Sequence, residues 1–138
     1  MTNEVHVARA TANIAAGSPP YRVAIRADGH HELIADEPAS NGGGDAGLSP
    51  FGLLLSGLVA CTSITLRMYA ERKGWESTPI GVSAHYDIRE DGTRTILRTI
   101  TLPTSLDADQ RERMAEIAEK TPVTKAVRAG TSIVTAFV

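Results

Sequence analysis

Cys61 is the single cysteine of the chain, and it lies in the most apolar helix-like stretch of the sequence. A thiolate can act as a redox nucleophile when a cation or a helix N-terminus stabilises it. Cys61 falls about three turns into its predicted helix, too far from the N-terminus to benefit from the helix dipole. Free cysteine is also among the most buried residue types. The residues alone therefore leave two hypotheses open, a redox thiol and an inert thiol packed in a core, and they favour the second.

Other residues that could bind a metal ion or a phosphate lack the required spacing. The four histidines and Cys61 form no metal-ligand pattern. The three glycines at 42–44 lack the lysine and the following helix of a phosphate-binding loop. Asp36 and Glu37 form a carboxylate pair in a polar loop, where solvation is the simpler explanation for them. The sequence therefore predicts no metal ion and no cofactor.

Composition and charge are typical of a soluble globular domain. The chain has 138 residues, of which 42% are hydrophobic and 22% charged, with a net charge of -2 at pH 7. This length predicts one domain over 1–138. The charge offers no electrostatic basis for binding nucleic acid. The apolar run from Pro50 to Cys61 is shorter than the roughly 20 residues that span a bilayer. With no signal peptide visible at the N-terminus, we expect a cytoplasmic protein without a membrane partner.

Alternating apolar residues predict a sheet in the first part of the chain. Strands are expected around 5–7, 21–25 and 31–35, because apolar and polar residues alternate there. Asp28-Gly29 is typical of a tight hairpin turn between the second and third strands. The segment from 36 to 47 is rich in glycine and polar residues and is predicted to be a loop.

A long helix is predicted in the centre of the sequence. Ser49 suits the N-cap and Pro50 the first helical position. Lys73 lies favourably at the negative end of the helix dipole, and Gly74 suits the position after the last turn. The N-terminal half of this helix is apolar nearly all round, so it must be buried on every side. Since so short a chain has little material to cover it, the sequence indicates a homodimer.

The remainder of the chain predicts a second group of strands and helices. Two strands are expected around 80–88 and 96–102, followed by a helix that a capping box at 107–110 opens. A short helix over 121–130 and a last strand over 131–138 complete the chain. The predicted order is β-β-β-α-β-β-α-α-β, an α+β fold with antiparallel pairing.

Five sequence blocks lie between 36 and 75, and they are DEP at 36–38, GGGDAGLSP at 42–50, LLL at 53–55, CT at 61–62 and LRMYA at 66–70. Together they resemble the OsmC/organic hydroperoxide resistance family, and the match is dense from Asp36 to Trp75. It implies an OsmC-like fold and an intertwined homodimer whose long central helices pack in the core. It also implies functional sites at the subunit interface and, in active members, a peroxidase cycle.

The resemblance places Cys61 at the first cysteine of that cycle, which attacks the peroxide and becomes a sulfenic acid. A second cysteine then condenses with the sulfenic acid to form a disulfide, which an external dithiol reduces. In the family this resolving cysteine begins a Cys-Pro-Val motif. Here the motif reads Thr121-Pro122-Val123, so the proline and the valine are retained while the thiol is absent. The sequence predicts that Thr121 serves as an N-cap and cannot resolve a sulfenic acid.

A second departure from the family concerns the groups expected beside the peroxidatic thiol. Active members carry a glutamate just after the proline of the central helix, and it orients an arginine beside the thiolate. Phe51 and Gly52 occupy those positions here. The resemblance implies that the arginine comes from an N-terminal strand, with Arg22 as the first candidate and Arg26 as the second.

Two functions follow from these expectations. In the favoured one, the chain is an OsmC-family stress-response protein with degenerate peroxidase chemistry that binds a small apolar ligand at the dimer interface or has another role. In the alternative, it is a one-cysteine organic hydroperoxide reductase. Cys61 would then react with the hydroperoxide, and an external thiol or dithiol would replace the missing resolving cysteine.

Overall fold

The structure is a computed structural model that describes residues 4–138. Contacts within the chain define two compact units, one ending at Leu53 and the other running from Leu54 to Val138. The predicted α+β class is confirmed, since residues 4–138 contain two small antiparallel sheets and three α-helices. The assignment of 1–138 to one domain stays a prediction.

The N-terminal unit contains a three-stranded antiparallel sheet. Its strands are β1 (Ala10–Asn13), β2 (Val23–Ala27) and β3 (His31–Ala35), in the spatial order β1-β2-β3. The predicted hairpin is confirmed, because Asp28 and Gly29 both adopt positive φ, as a tight turn between twisted strands requires. The first strand lies later than the predicted position around 5–7.

The loop after β3 is held closely against the sheet. It contains a short 3₁₀ helix, Ala39–Asn41, and returns to β3 through a bridge between Ala35 and Leu48. A Cβ atom added at Gly47 would lie 1.9 Å from the backbone oxygen of Ile34. Only glycine therefore allows the chain to pass β3 so closely before it enters the next helix.

The central helix α1 has the predicted bounds, Pro50–Lys73. The hydroxyl of Ser49 accepts a hydrogen bond from the Gly52 N–H at 3.0 Å, which confirms the N-cap. Gly74 follows the last turn with a φ of 69°, as the C-terminal signal predicted. Both helix ends are therefore determined locally.

Burial of α1 is confined to one stripe in the single chain, which by itself leaves Phe51 and Leu54 exposed in the N-terminal half that was predicted to be buried on every side. Its buried residues recur every fourth position, and they are Leu58, Thr62, Leu66 and Ala70. Residues four apart lie on one face of a helix. The remaining faces leave Ile64 and Met68 exposed. The apolar surface that suggested a dimer is thus present and uncovered.

Helix α1 also meets the length and hydropathy criteria for a membrane span. Its most apolar 18-residue window has a mean hydropathy of 1.6, and 17% of that window is buried. The length argument against a span, which considered only Pro50 to Cys61, does not hold for the whole helix. Core helices of soluble proteins meet the same criteria, so they do not by themselves establish a membrane protein.

The C-terminal unit contains a hairpin and two further helices. Strands β4 (Gly81–Ile88) and β5 (Arg94–Thr101) pair antiparallel along their whole length. Helix α2 (Ala108–Ala118) begins with the predicted capping box, and helix α3 (Pro122–Ala129) ends before Gly130. The main apolar core of this unit joins α1 to α2, and its buried members are Leu66, Ala70, Leu106, Met114 and Ala118.

The predicted last strand over 131–138 is wrong for the single chain, because this segment has no strand structure. Its apolar side chains are almost fully exposed, with Ile133 at 87%, Val134 at 94% and Phe137 at 98%. A strand requires a neighbour for its backbone groups. Within residues 4–138, β4 and β5 pair only with each other, so the apolar pattern finds no partner.

Candidate functional site

Arg98 is the centre of a polar network inside the C-terminal unit. It lies in the middle of β5, and its side chain is only 11% exposed. Its Nη1 donates to the hydroxyl of Thr62 on α1 at 3.0 Å and to that of Thr124 on α3 at 2.8 Å. Its Nη2 donates to the carbonyl of Ala118 at the end of α2 at 3.1 Å. One guanidinium thus links three helices to the strand.

Thr121, which the family resemblance places at the position of the resolving cysteine, is joined to this network. It is fully buried, and its hydroxyl lies 2.6 Å from that of Thr124. Its backbone has the extended conformation of an N-cap, but its side chain makes no capping hydrogen bond. The predicted N-cap position is therefore confirmed, although the hydroxyl bonds to Thr124 and not to the backbone of the first helical turn.

Cys61 lies next to the network along α1 but on a different face of the helix. The adjacent Thr62 is fully buried and donates its hydroxyl proton to the Leu58 carbonyl at 2.7 Å. Cys61 itself is only half-buried, and its Sγ lies 4.0 Å from the hydroxyl of Thr65. The sequence favoured a thiol packed in a core. The single chain does not enclose Cys61 in this way.

A cleft of about 410 Å³ adjoins Arg98. Its walls come from α1, β5, α3 and the turn between α2 and α3, and its lining residues are Leu58, Ile96, Leu97, Arg98, Glu119, Thr124, Val127 and Arg128. The carboxylate of Glu119 lies 3.6 Å from Arg98 and forms a closer ion pair with Arg128. The cleft therefore combines an apolar wall with a charged edge.

The two arginines that the resemblance proposed lie in the N-terminal unit, whereas Cys61 lies in the other. Arg26 forms an exposed ion pair with Glu32, directly opposite it on β3, at 2.6 Å. Arg22 lies close enough to Asp36 for its charge to help lower the pKa of that carboxyl group. Arg26 is thus a surface strand residue, and the charge of Arg22 acts on a carboxyl group of its own unit.

Asp36 is buried and organises its loop, so the expectation of simple solvation is wrong. Its carboxylate accepts hydrogen bonds from the backbone N–H groups of Ala46 at 3.1 Å and Glu37 at 2.8 Å. The bond from Ala46 is the largest cause of its lowered pKa, with further contributions from the N–H groups of Glu37 and Gly44. Burial opposes these effects but does not cancel them. Asp36 is therefore a structural carboxylate.

The positions after Pro50 carry no carboxylate, in agreement with the sequence analysis. Phe51 is exposed, and Gly52 contributes its N–H to the Ser49 cap. Among residues 4–138, no three histidine, cysteine, aspartate or glutamate side chains are grouped in a way that could hold a metal ion.

The family assignment follows from a match that covers more than half of the chain. Residues 42–136 match the family model described as OsmC-like protein. The chain belongs to the OsmC-like family. No protein of curated function matches the sequence significantly.

Several solved structures share this fold over most of their length. One is an osmotic stress and detoxification response protein of Psychrobacter arcticus, with a TM-score of 0.70, 20% identity and coverage of 91% of this chain and 90% of that chain. The Legionella pneumophila organic hydroperoxide resistance protein OsmC has a TM-score of 0.65 and 18% identity, and the match covers 91% of this chain and 92% of that chain. OhrB, an organic hydroperoxide resistance protein of Bacillus subtilis, has a TM-score of 0.60 and 25% identity, and the match covers 89% of this chain and 91% of that chain.

Sequence reasoning missed the central residue of this OsmC-like protein's network. Arg98 lies between Ile96 and Ile100 in the alternation of β5, and all three are partly buried. An arginine at an inward position of a strand needs buried partners. The alternation of β5 could have indicated that Arg98 points inward. It could not identify the partners of Arg98, which lie 20 to 36 residues away along the chain.

Proposed function

We propose that this OsmC-like stress-response protein binds a small apolar ligand and does not carry out the two-cysteine peroxidase cycle. The observation that carries the proposal is the buried contact between Thr121 and Thr124, which Arg98 completes. A hydroxyl cannot condense with a sulfenic acid to form a disulfide. The resolving position therefore contributes hydrogen bonds to the fold in place of redox chemistry.

The cleft beside Arg98 supports a binding function. Small-molecule sites are concave and mainly apolar, with a few polar groups that orient the ligand. Leu58, Ile96 and Val127 provide an apolar wall here, and polar side chains make up about half of the lining. An organic hydroperoxide resistance protein of Vibrio cholerae, which shares this fold, has captopril bound in one of its active sites. This relative supports the idea that the fold can hold a small organic molecule.

We further propose that the protein is a cytoplasmic homodimer with its functional site at the subunit interface. The exposed apolar side chains of α1, such as Ile64 and Met68, support this assembly. Solvent-exposed apolar patches commonly mark protein contacts. The soluble OsmC-like folds of the structural neighbours support a soluble protein.

A one-cysteine hydroperoxide reductase is the second candidate, and the partial exposure of Cys61 favours it. In this reaction the thiolate attacks the peroxide O–O bond, giving a sulfenic acid and releasing an alcohol. One external thiol then forms a mixed disulfide with Cys61 and releases water, and a second thiol frees Cys61 as an external disulfide forms. Arg22 is the proposed cation for the thiolate in this alternative.

Intact mass spectrometry separates the two candidates. The folded protein is treated with stoichiometric cumene hydroperoxide in the presence of dimedone, which traps sulfenic acid. We expect the folded protein to keep its original mass and the urea-unfolded protein to gain the adduct at Cys61, which shows that the reagents are active. Rapid turnover of hydroperoxide with an external thiol, abolished by Cys61→Ser, would establish the reductase instead.

Calorimetric titration with a neutral apolar probe tests binding directly. We expect decanol to bind the folded protein with saturable stoichiometry. Absence of saturable binding by any apolar probe, whether neutral or charged, would contradict the proposed binding function.

A further inference from the structure

We propose that the cleft between β5 and α3 selects amphipathic organic anions, such as medium-chain carboxylates, over neutral apolar molecules. The carboxylate would lie at the edge formed by Arg98 and Arg128, and the hydrocarbon chain along Leu58, Ile96 and Val127. This inference rests on the proposed binding function and names the class of ligand.

The size of the cleft fits a small organic molecule. Its volume of about 410 Å³ lies within the range of roughly 300–1,000 Å³ that is typical of small-molecule sites. Its walls belong to one compact unit and come from α1, β5, α3 and the turn between α2 and α3. Arg98 hydrogen-bonds to Thr62 and Thr124 and so ties these elements together. The cleft is therefore largely formed before a ligand arrives.

The charges around the cleft favour an anion. Two arginines and one glutamate line it, which leaves one positive charge in excess. The guanidinium of Arg98 is already engaged by Thr62, Thr124 and Ala118, so it contributes mainly a fixed charge. Arg128 is more exposed, and it directs Nη1 to the carbonyl and Nη2 to the carboxylate of Glu119. A guanidinium has five N–H donors, so Arg128 retains donors for a second carboxylate.

Glu119 defines the selectivity of this edge. Its carboxylate already lies beside both arginines, at 3.6 Å from Arg98 and in a closer contact with Arg128. A bound carboxylate would share these cations with Glu119 and would be repelled by it. The cleft should therefore bind ligands that carry a single carboxylate. Their affinity should increase when the charge of Glu119 is removed.

Isothermal titration of the full-length protein with decanoate and decanol tests the proposal, because the two probes share a chain length and differ in charge. Arg128→Gln removes the accessible cation, and Glu119→Gln removes the competing anion. Lys125→Gln is the matched control, since Lys125 is an exposed cation on the same helix that does not line the cleft. Thermal melts of each variant verify that it remains folded.

We expect decanoate to bind roughly fivefold more tightly than decanol, as a partly exposed ion pair allows. Arg128→Gln should weaken decanoate binding by about threefold, Glu119→Gln should tighten it by a similar factor, and Lys125→Gln should leave it unchanged. The advantage of decanoate should decrease with added salt.

Three outcomes would overturn the inference. Equal affinity for decanol and decanoate would remove the selectivity for anions while leaving the proposed binding function intact. Decanoate binding that neither Arg128→Gln nor Glu119→Gln alters would place the ligand elsewhere. Absence of binding by both probes would overturn this inference together with the proposed function.

Discussion

At the scale of single residues, Arg98 shows why a buried charge is tolerated in a small unit. Removing a guanidinium from water is costly unless its donors are satisfied. The partners of Arg98 are two hydroxyls, a backbone carbonyl and the nearby carboxylate of Glu119. A planar guanidinium can reach such divergent acceptors at once, whereas a lysine ammonium is a single point charge. The residue therefore couples elements that are distant in sequence.

Replacing Arg98 with methionine should lower the free energy of unfolding by about 2–4 kcal/mol, because several buried acceptors lose their donor. Urea unfolding followed by circular dichroism measures this loss. Arg94→Met is the control on the same strand, where the exposed side chain donates to Tyr86, and it should change stability by less than about 0.5 kcal/mol. Equal effects of the two substitutions would show that the network does not stabilise the unit.

Asp36 provides a prediction about acid stability. Its pKa in the folded state is lowered chiefly by the Ala46 N–H, below the ordinary aspartate value of 3.8. The unfolded chain therefore binds a proton more readily, and the stabilisation present above pH 3.8 is lost as pH falls through the folded pKa. Acid titration of the free energy of unfolding should show a smaller slope for Asp36→Asn than for the unmodified protein.

Asp45→Asn is the matched control for this titration, since Asp45 is an exposed aspartate of the same loop. It should retain the acid profile of the unmodified protein. An unchanged slope in Asp36→Asn would mean that the buried carboxylate does not govern acid stability.

At the scale of the elements, local signals determined what could be predicted. The bounds of α1 follow from Ser49, Pro50 and Gly74, because caps act within one turn of the helix end. The capping box of α2 was predictable for the same reason. The segment 131–138 has an equally clear apolar pattern, yet a strand also needs a neighbouring strand, and the local sequence does not specify one.

In the candidate site, too, the sequence gives information where the signal is local and not where the partners are distant in sequence. Positions 61 and 121 were assigned from motifs contained in short stretches of sequence, and their roles stay a prediction. Arg98 could not be assigned its partners, because Thr62 and Thr124 lie on helices 36 and 26 residues away. Long-range side-chain contacts depend on the tertiary arrangement, which sequence periodicity does not determine.

The loop before α1 offers a test of close backbone packing. Alanine at Gly47 would bring a Cβ to 1.9 Å from the Ile34 oxygen, so strand and loop would have to separate. We expect Gly47→Ala to lower the free energy of unfolding by more than about 1 kcal/mol. Gly81→Ala, at the start of β4, would place its Cβ 3.7 Å from the Thr101 side chain, an ordinary contact, and should change the free energy of unfolding by less than about 0.5 kcal/mol. Thermal or urea unfolding of both variants measures the difference.

At the scale of the whole molecule, exposed apolar side chains support self-association. Ile64 on α1 is 59% exposed, Leu97 on β5 is 55% exposed, and the apolar residues of 131–138 are more exposed still. Scattered exposed apolar residues are ordinary, but a helix that is apolar on several faces is typical of a buried element. A second copy of the chain is the proposed cover for the apolar faces by which α1 meets the criteria for a membrane span.

The final prediction is that the protein is a homodimer at micromolar concentration and that Ile64→Glu converts it to a monomer. The side chain of Ile64 is mostly exposed in the single chain, so a glutamate there need not disrupt a protomer, whereas burying its charge in an interface is costly. Multi-angle light scattering should give about twice the 14.6 kDa chain mass for the unmodified protein and the single-chain mass for the variant. Ala126→Glu, at an exposed position on α3, should remain dimeric. A stable monomer of the unmodified protein at this concentration would contradict the assembly and leave the apolar faces of α1 unexplained.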